Sequence, residues 1–179
     1  FIDTGKEKCG SDCGPACNCG KYIEIWNNVF IEFNRKKEGT YETLKQKNVD
    51  TGMGVARTAA VLQGHFDNYR LEIWTPVIAE IERLSGKIYA ESSEATQSMR
   101  IVADHIRAAT FVLAEGVCPS KTDQGYVLRR LIRRSIRHGK KLGIEDNFTG
   151  KVAAKVIEIY GDSYPELSRA SRETLNTLT

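Results

Sequence analysis

The chain has 179 residues, 41% hydrophobic and 27% charged, which fits one ordinary globular domain or two small ones and excludes a disordered chain. No apolar run approaches the roughly 18 residues of a membrane-spanning helix, and the absence of a recognisable secretion signal reads as a cytoplasmic protein. The formal net charge is only +3, so the partner has to be read from where the charge lies, and the stretch from Arg129 to Lys141 is strongly basic.

In chain order, the opening residues Phe1-Ile2-Asp3-Thr4-Gly5 carry neither an initiator Met nor a helix start, and they read as a chain entered in mid-protein. Four of the five cysteines follow within a few residues, as Cys9-x3-Cys13-x3-Cys17-x-Cys19, with Gly10, Gly14, Pro15 and Gly20 between them. Zinc takes four thiolates in a tetrahedron, and a short glycine-rich loop can fold its sulfurs inward. Such a site supplies folding energy to a segment with few apolar residues of its own. A reduced loop without metal and a pair of disulfides are the alternatives. Cys118, beside Pro119 in a separate loop, stays outside the site.

The segment from Tyr22 to Phe33 alternates Ile23, Ile25, Val29, Ile31 and Phe33 with mostly polar neighbours, the period of a strand. Lys36-Lys37-Glu38-Gly39 predicts a turn, and a second extended piece is expected to end at Val49-Asp50. Thr51-Gly52-Met53-Gly54 then bends the chain into a helix beginning near Val55. This Gly-Met-Gly segment carries the most chemistry. Two glycines let the backbone approach a ligand, the new helix N-terminus offers free N–H groups to an anion, and Arg57 in its first turn can fork onto a phosphate. Asp50, just before, can pair with a cationic amine. A plain strand–turn–helix with a surface Arg is the alternative.

Beyond a boundary expected near Gly64 to Asn68, glycines and prolines separate helices predicted at Tyr69–Leu84, Gln97–Ala114, Tyr126–Lys141, Phe148–Tyr160 and Leu167–Leu178. In the basic helix, Leu128, Leu131, Ile132, Ser135 and Ile136 fall at helical spacing as one buried stripe. Arg129, Arg130, Arg133, Arg134 and Arg137 project from the other faces, with no acid between Tyr126 and Lys141. Like charges at i,i+4 cost about 0.2–0.5 kcal/mol per pair, so a polyanion partner would offset the repulsion. Neutralisation by acids of other helices, such as Asp104 or Glu115, is the competing explanation. His65, His105 and His138 do not cluster in sequence, and the neighbours Asp104 and His105 are not expected to face each other on a helix.

Read together, Glu24-Ile25-Trp26-Asn27, Val49-Asp50-Thr51-Gly52-Met53-Gly54 and Ala59-Ala60-Val61-Leu62-Gln63 resemble the alanyl-tRNA synthetase family, whose GxGxxR is the third signature motif of class II synthetases. Val102-Ala103-Asp104-His105-Ile106-Arg107-Ala108, Gly116-Val117-Cys118-Pro119-Ser120 and Gly125-Tyr126-Val127-Leu128-Arg129-Arg130-Leu131-Ile132-Arg133-Arg134 continue the resemblance in the same order. It implies an α+β chain: a partial antiparallel class II sheet with a cysteine-rich loop over residues 1–66, then a mainly helical region that binds the tRNA acceptor stem over residues 67–179. By the same resemblance, Arg57 with Gly52 and Gly54 holds ATP, Asp50 pairs with the amino group of alanine, Asn27 and Gly52 line the amino-acid site, and Val29 limits it to a methyl-sized side chain. The cysteine loop falls where family members can carry zinc.

Two positions depart from the family pattern. Ala56 stands where a Glu usually precedes the motif Arg, and Lys121 stands where an Asn reads the acceptor-stem G·U pair. A Lys offers a cation but not the paired donor and acceptor of an amide. The implied reaction is activation of alanine with ATP and Mg²⁺, followed by transfer to tRNA(Ala), with no membrane or DNA partner. Because two further class II motifs are not in this sequence, the isolated chain is expected to be inactive; a non-catalytic tRNA-binding module is the second reading.

Overall fold

A computed structural model describes residues 1–179, which form two compact units, Phe1–Leu71 and Glu72–Thr179.

In the first unit, β1 (Ile2–Asp3) pairs antiparallel with β2 (Tyr22–Ile23), and β3 (Trp26–Arg35) pairs antiparallel with β4 (Tyr41–Met53). The single strand expected from Tyr22 to Phe33 is therefore split between two sheets, one closing the cysteine loop and the other forming a long hairpin. The hairpin closes where expected: Gly39, at φ +89°, donates its N–H to Lys36 O at 3.0 Å. A register irregularity between Ile31 and Phe33 offsets the two halves of the ladder. β4 does not stop at Val49-Asp50. Thr51, Gly52 and Met53 remain in the ladder because Asn28, Asn27 and Trp26 pair with them, and only Gly54 turns the chain into α1 (Val55–Leu62). Trp26, Phe30, Phe33, Tyr41 and Val49 are all more than half exposed, so apolar side chains stand open along the hairpin. A two-stranded ribbon of this kind has little core of its own.

The second unit is helical: α2 (Thr75–Ser85), α3 (Ser93–Ala114), α4 (Asp123–Lys141), α5 (Thr149–Tyr160), α6 (Pro165–Arg169) and α7 (Ser171–Leu178). α3 is its axis. Ala95, Met99, Val102, Ala103, Ile106, Ala109 and Leu113 recur at three- and four-residue spacing and are buried, with α2, α4, α5, α6 and α7 packed around them. Three helix starts differ from the sequence expectation, α4 opening at Asp123 rather than Tyr126. α3 begins at Ser93 because the Ser92 side chain caps it, accepting from Ala95 N–H at 3.2 Å. The expected Tyr69–Leu84 helix is a short 3₁₀ turn, Asn68–Arg70, and then α2, which starts with Pro76 in its first turn. The last expected helix is likewise broken, at Ala170, into α6 and α7.

Candidate functional site

The cysteine loop is drawn together by its base. Thr4 N–H donates to Lys21 O at 2.7 Å, and the Lys21 Nζ, in a side chain 11% exposed, donates to Asp3 Oδ1 at 2.9 Å and to Lys6 O at 2.6 Å. Inside that ring, Cys13 N–H turns back to Gly10 O and Cys17 N–H to Gly14 O. The outcome is that the sulfurs of Cys9, Cys13, Cys17 and Cys19 lie within 4.8 Å of one another, with Cys9 and Cys17 at 3.3 Å and Cys13 and Cys19 at 3.6 Å. Thiolates at the vertices of a zinc tetrahedron are about 3.8 Å apart, from Zn–S bonds of about 2.3 Å, so the donor set fits that ion. All four are free thiols. Hydrogen bonds from Cys17, Cys13 and Cys19 push the Cys9 thiol up to about 12. The Lys21 backbone N–H lowers Cys19 to about 7.

The hairpin brings the expected amino-acid residues onto one face. In the ladder Asn27 stands opposite Gly52, and Val29 stands opposite Asp50. Cross-strand partners share a face, and i and i+2 share it too, so these four residues form a contiguous patch. All four are exposed, Val29 by 48%. The opposite face is tied by Trp26 Nε1 donating to Thr51 Oγ1 at 2.6 Å and by Thr51 Oγ1 donating to Asn28 Oδ1 at 2.6 Å. Neither motif glycine has a positive φ. A Cβ at Gly52 would meet nothing within 4 Å, so the patch is open above that residue, whereas one at Gly54 would meet the Arg57 side chain at 3.2 Å. Gly54 is tied to the start of the hairpin by its N–H on Ile25 O at 2.9 Å. α1 has neither a capping side chain nor an acid in its first turn, leaving its N-terminal N–H groups to an anion. Arg57 lies there, and its Nη1 donates to Glu24 O at 3.2 Å. A backbone carbonyl thus steadies the Arg where the usual preceding Glu is replaced by Ala56.

In α4, the buried stripe is narrower than the sequence suggested. Gly125, Leu128, Ser135 and Gly139 are buried, and Leu131 and Ile132 are half-buried. Ile136, expected in the stripe, is 39% exposed. Small residues set this packing: a Cβ on Gly125 would meet Cys118 O at 2.4 Å, and one on Gly139 would meet the Phe148 ring at 2.2 Å. Arg129, Arg130, Arg133, Arg134 and Arg137 are all exposed, and none is in an ion pair. Asp104, a candidate for neutralising them, is instead engaged by His105 at 3.0 Å and Arg107 at 3.8 Å. The expectation that Asp104 and His105 would not face each other fails, because both side chains curl toward each other from adjacent positions. Arg130 lies over the Tyr126 ring at 5.7 Å. Lys121 is exposed in the loop before α4, where Ser120 N–H is anchored on Gly125 O at 3.0 Å.

The whole of residues 1–179 matches the family described as tRNA synthetases class II (A), to which the chain belongs. Several relatives share one name. The chain is 52% identical over 177 residues to an alanine–tRNA ligase of Treponema denticola, covering 98% of the chain and 29% of that protein. It is 52% identical over 170 residues to one of Borrelia hermsii, covering 94% and 29%, and 45% identical over 180 residues to one of Carboxydothermus hydrogenoformans, covering 99% and 21%. The chain thus spans under a third of the length of these relatives. No helix is long and apolar enough to cross a membrane.

Proposed function

We propose that the chain supplies part of the adenylate site and the acceptor-stem surface of a cytoplasmic alanine–tRNA ligase, with residues 1–66 contributing to catalysis and residues 67–179 binding tRNA. The observation that carries this reading is the hairpin register: Asn27, Val29, Asp50 and Gly52 share one face. In the complete protein Asp50 binds the amino group of alanine, and Val29 limits the side chain to a methyl. Arg57, together with the N–H groups that open α1 after Gly54, orients the ATP phosphates. Mg²⁺ accompanies ATP and shields phosphate charge during activation. A small apolar pocket discriminates by only about 1–3 kcal/mol per methylene, so Val29 alone does not account for full selectivity.

Cys9, Cys13, Cys17 and Cys19 hold a structural zinc, which lends folding energy to a unit with little core. Elemental analysis of freshly purified, reduced protein should find about one zinc per chain, lost on joint Cys13→Ser and Cys19→Ser substitution. Metal-free wild-type protein would refute the assignment. The amino-acid face is open to solvent here, so the 179-residue chain alone should give no alanine-dependent ATP–pyrophosphate exchange; exchange above background would overturn that division of labour.

A second reading, a tRNA-binding module without catalysis, is favoured by the absence of any acid paired with the α4 arginines. Lys121, at the foot of α4, binds acceptor-stem phosphate or a base acceptor. A gel shift of the chain with tRNA(Ala) at low and moderate salt tests the surface common to both readings.

A further inference from the structure

Val127, Arg130, Leu131 and Arg134 recur at i, i+3, i+4 and i+7, so they form one stripe along α4. His105 of α3 stands against that stripe, and these residues with Arg133 line a depression of about 240 Å³. The His105 side chain is only 14% exposed, and its Nδ1 lies 3.0 Å from Asp104 Oδ2. An ionised carboxylate can only accept, so Nδ1 carries the hydrogen and donates it. The remaining ring atom, Nε2, is then an acceptor whenever the imidazole is neutral. The charged groups around the ring are Asp104 and Arg107 on α3, and Arg130, Arg133, Arg134 and the neighbouring His138 on α4. Asp104 is the only acid among them, and it is already engaged. The depression therefore gathers guanidinium donors that have no anion, next to a ring whose orientation is fixed from behind.

From this arrangement we propose that His105, held by Asp104, joins Arg130 and Arg134 in one subsite for a backbone phosphate of the bound RNA, and that the ring binds as imidazolium. A phosphate oxygen accepts hydrogen bonds and does not donate them. It can be bound by Nε2 only after that nitrogen takes a proton from solvent. The bound state is then a chain of carboxylate, imidazolium and phosphate, flanked by two guanidinium groups. His105 is a binding residue in this proposal, and Asp104 is its positioning residue. The inference rests on the reading of α4 as an RNA surface and adds a contribution from α3 and a proton to it.

Fluorescence anisotropy of the whole chain with a labelled acceptor-stem RNA, at fixed salt and at about pH 6 and about pH 7.5, tests the proposal. Uptake of a proton by the imidazole on binding should make binding several-fold tighter at the lower pH. His105→Gln should bind no more tightly at the lower pH than at the higher, while His138→Gln should keep the gain. A gain that persists in His105→Gln, or that is lost in His138→Gln, overturns the proposal. Failure to bind RNA at either pH would count against the RNA surface itself. A second measurement addresses His105 regardless of that result. Inorganic phosphate titrated into the chain should move the imidazole nitrogen resonances of His105 toward the imidazolium position, and should do so far less in a chain carrying Arg130→Ala and Arg134→Ala. Resonances that do not move exclude the subsite.

Discussion

The charge on α4 makes a quantitative prediction. Five exposed arginines stand on this helix with no acid paired to any of them, so a bound polyanion meets them at full charge. Arg130, Arg134 and Arg137 lie on its outer side, opposite the buried line of Leu128, Ser135 and Gly139. Each phosphate neutralised releases condensed counterions and contributes about −0.7 to −0.9 to the slope of log affinity against log salt. Replacing Arg130 and Arg134 together by Ala removes one phosphate contact and should therefore flatten the slope by about 0.7 to 0.9. Taking the upper slope and a molar salt reference, the loss in affinity is about 5-fold at 0.15 M and about 15-fold at 0.05 M. Anisotropy with an acceptor-stem RNA over that salt range measures both quantities. A loss that does not vary with salt would mean that the arginines act through folding. An unchanged affinity would remove this face from the RNA surface.

Two other predictions concern the helical unit itself. Gly139→Ala places a methyl against the buried ring of Phe148 and should destabilise the unit by about 1–3 kcal/mol in urea unfolding followed by circular dichroism; wild-type stability would show that α4 and Phe148 are not in close contact. His138 is held below its ordinary value of 6.5, first by burial and then by Lys141, Arg134 and Arg137, and its Nδ1 lies 3.1 Å from Ser98 Oγ. A histidine with a lowered folded-state value contributes stability above 6.5 that is lost as pH falls toward that value. The thermal midpoint should accordingly fall below about pH 6.5 in the wild type and fall less in His138→Gln; equal pH profiles would refute the burial argument.

How much of this was legible in the sequence differs between elements, for physical reasons. α3 is visible because its apolar residues keep helical spacing for most of its length, yet its start was placed too late because Ser92, Ser93 and Glu94 are polar and only the cap identifies them. In α4, periodicity assigned Ile136 to the core, because hydrophobicity does not reveal that Gly125, Ser135 and Gly139 form the packed line. That line is chosen by Cys118 and Phe148, which lie outside α4 in the segments that flank it. The four cysteines were legible as a set because their loop is short, whereas the Lys21–Asp3 anchor beneath them required the β1–β2 pairing. The Gly-Met-Gly segment was read as a turn from its composition. Its strand conformation comes from cross-strand partners, and so does the pairing of Val29 with Asp50 that assembles the amino-acid face. The contact between Asp104 and His105 escaped the rule for adjacent helix positions, which describes Cβ directions and not how side chains curl.

The central claim is that the hairpin face recognises alanine through Asp50. Its most direct test is alanine-dependent ATP–pyrophosphate exchange by the full-length protein, compared between wild type and Asp50→Asn. Removing one partner of a desolvated charge pair costs about 2–5 kcal/mol, so the variant should lose at least about 30-fold in kcat/KM for alanine. The KM for ATP should remain close to wild type. Exchange by Asp50→Asn at the wild-type rate and the wild-type KM for alanine would contradict the account.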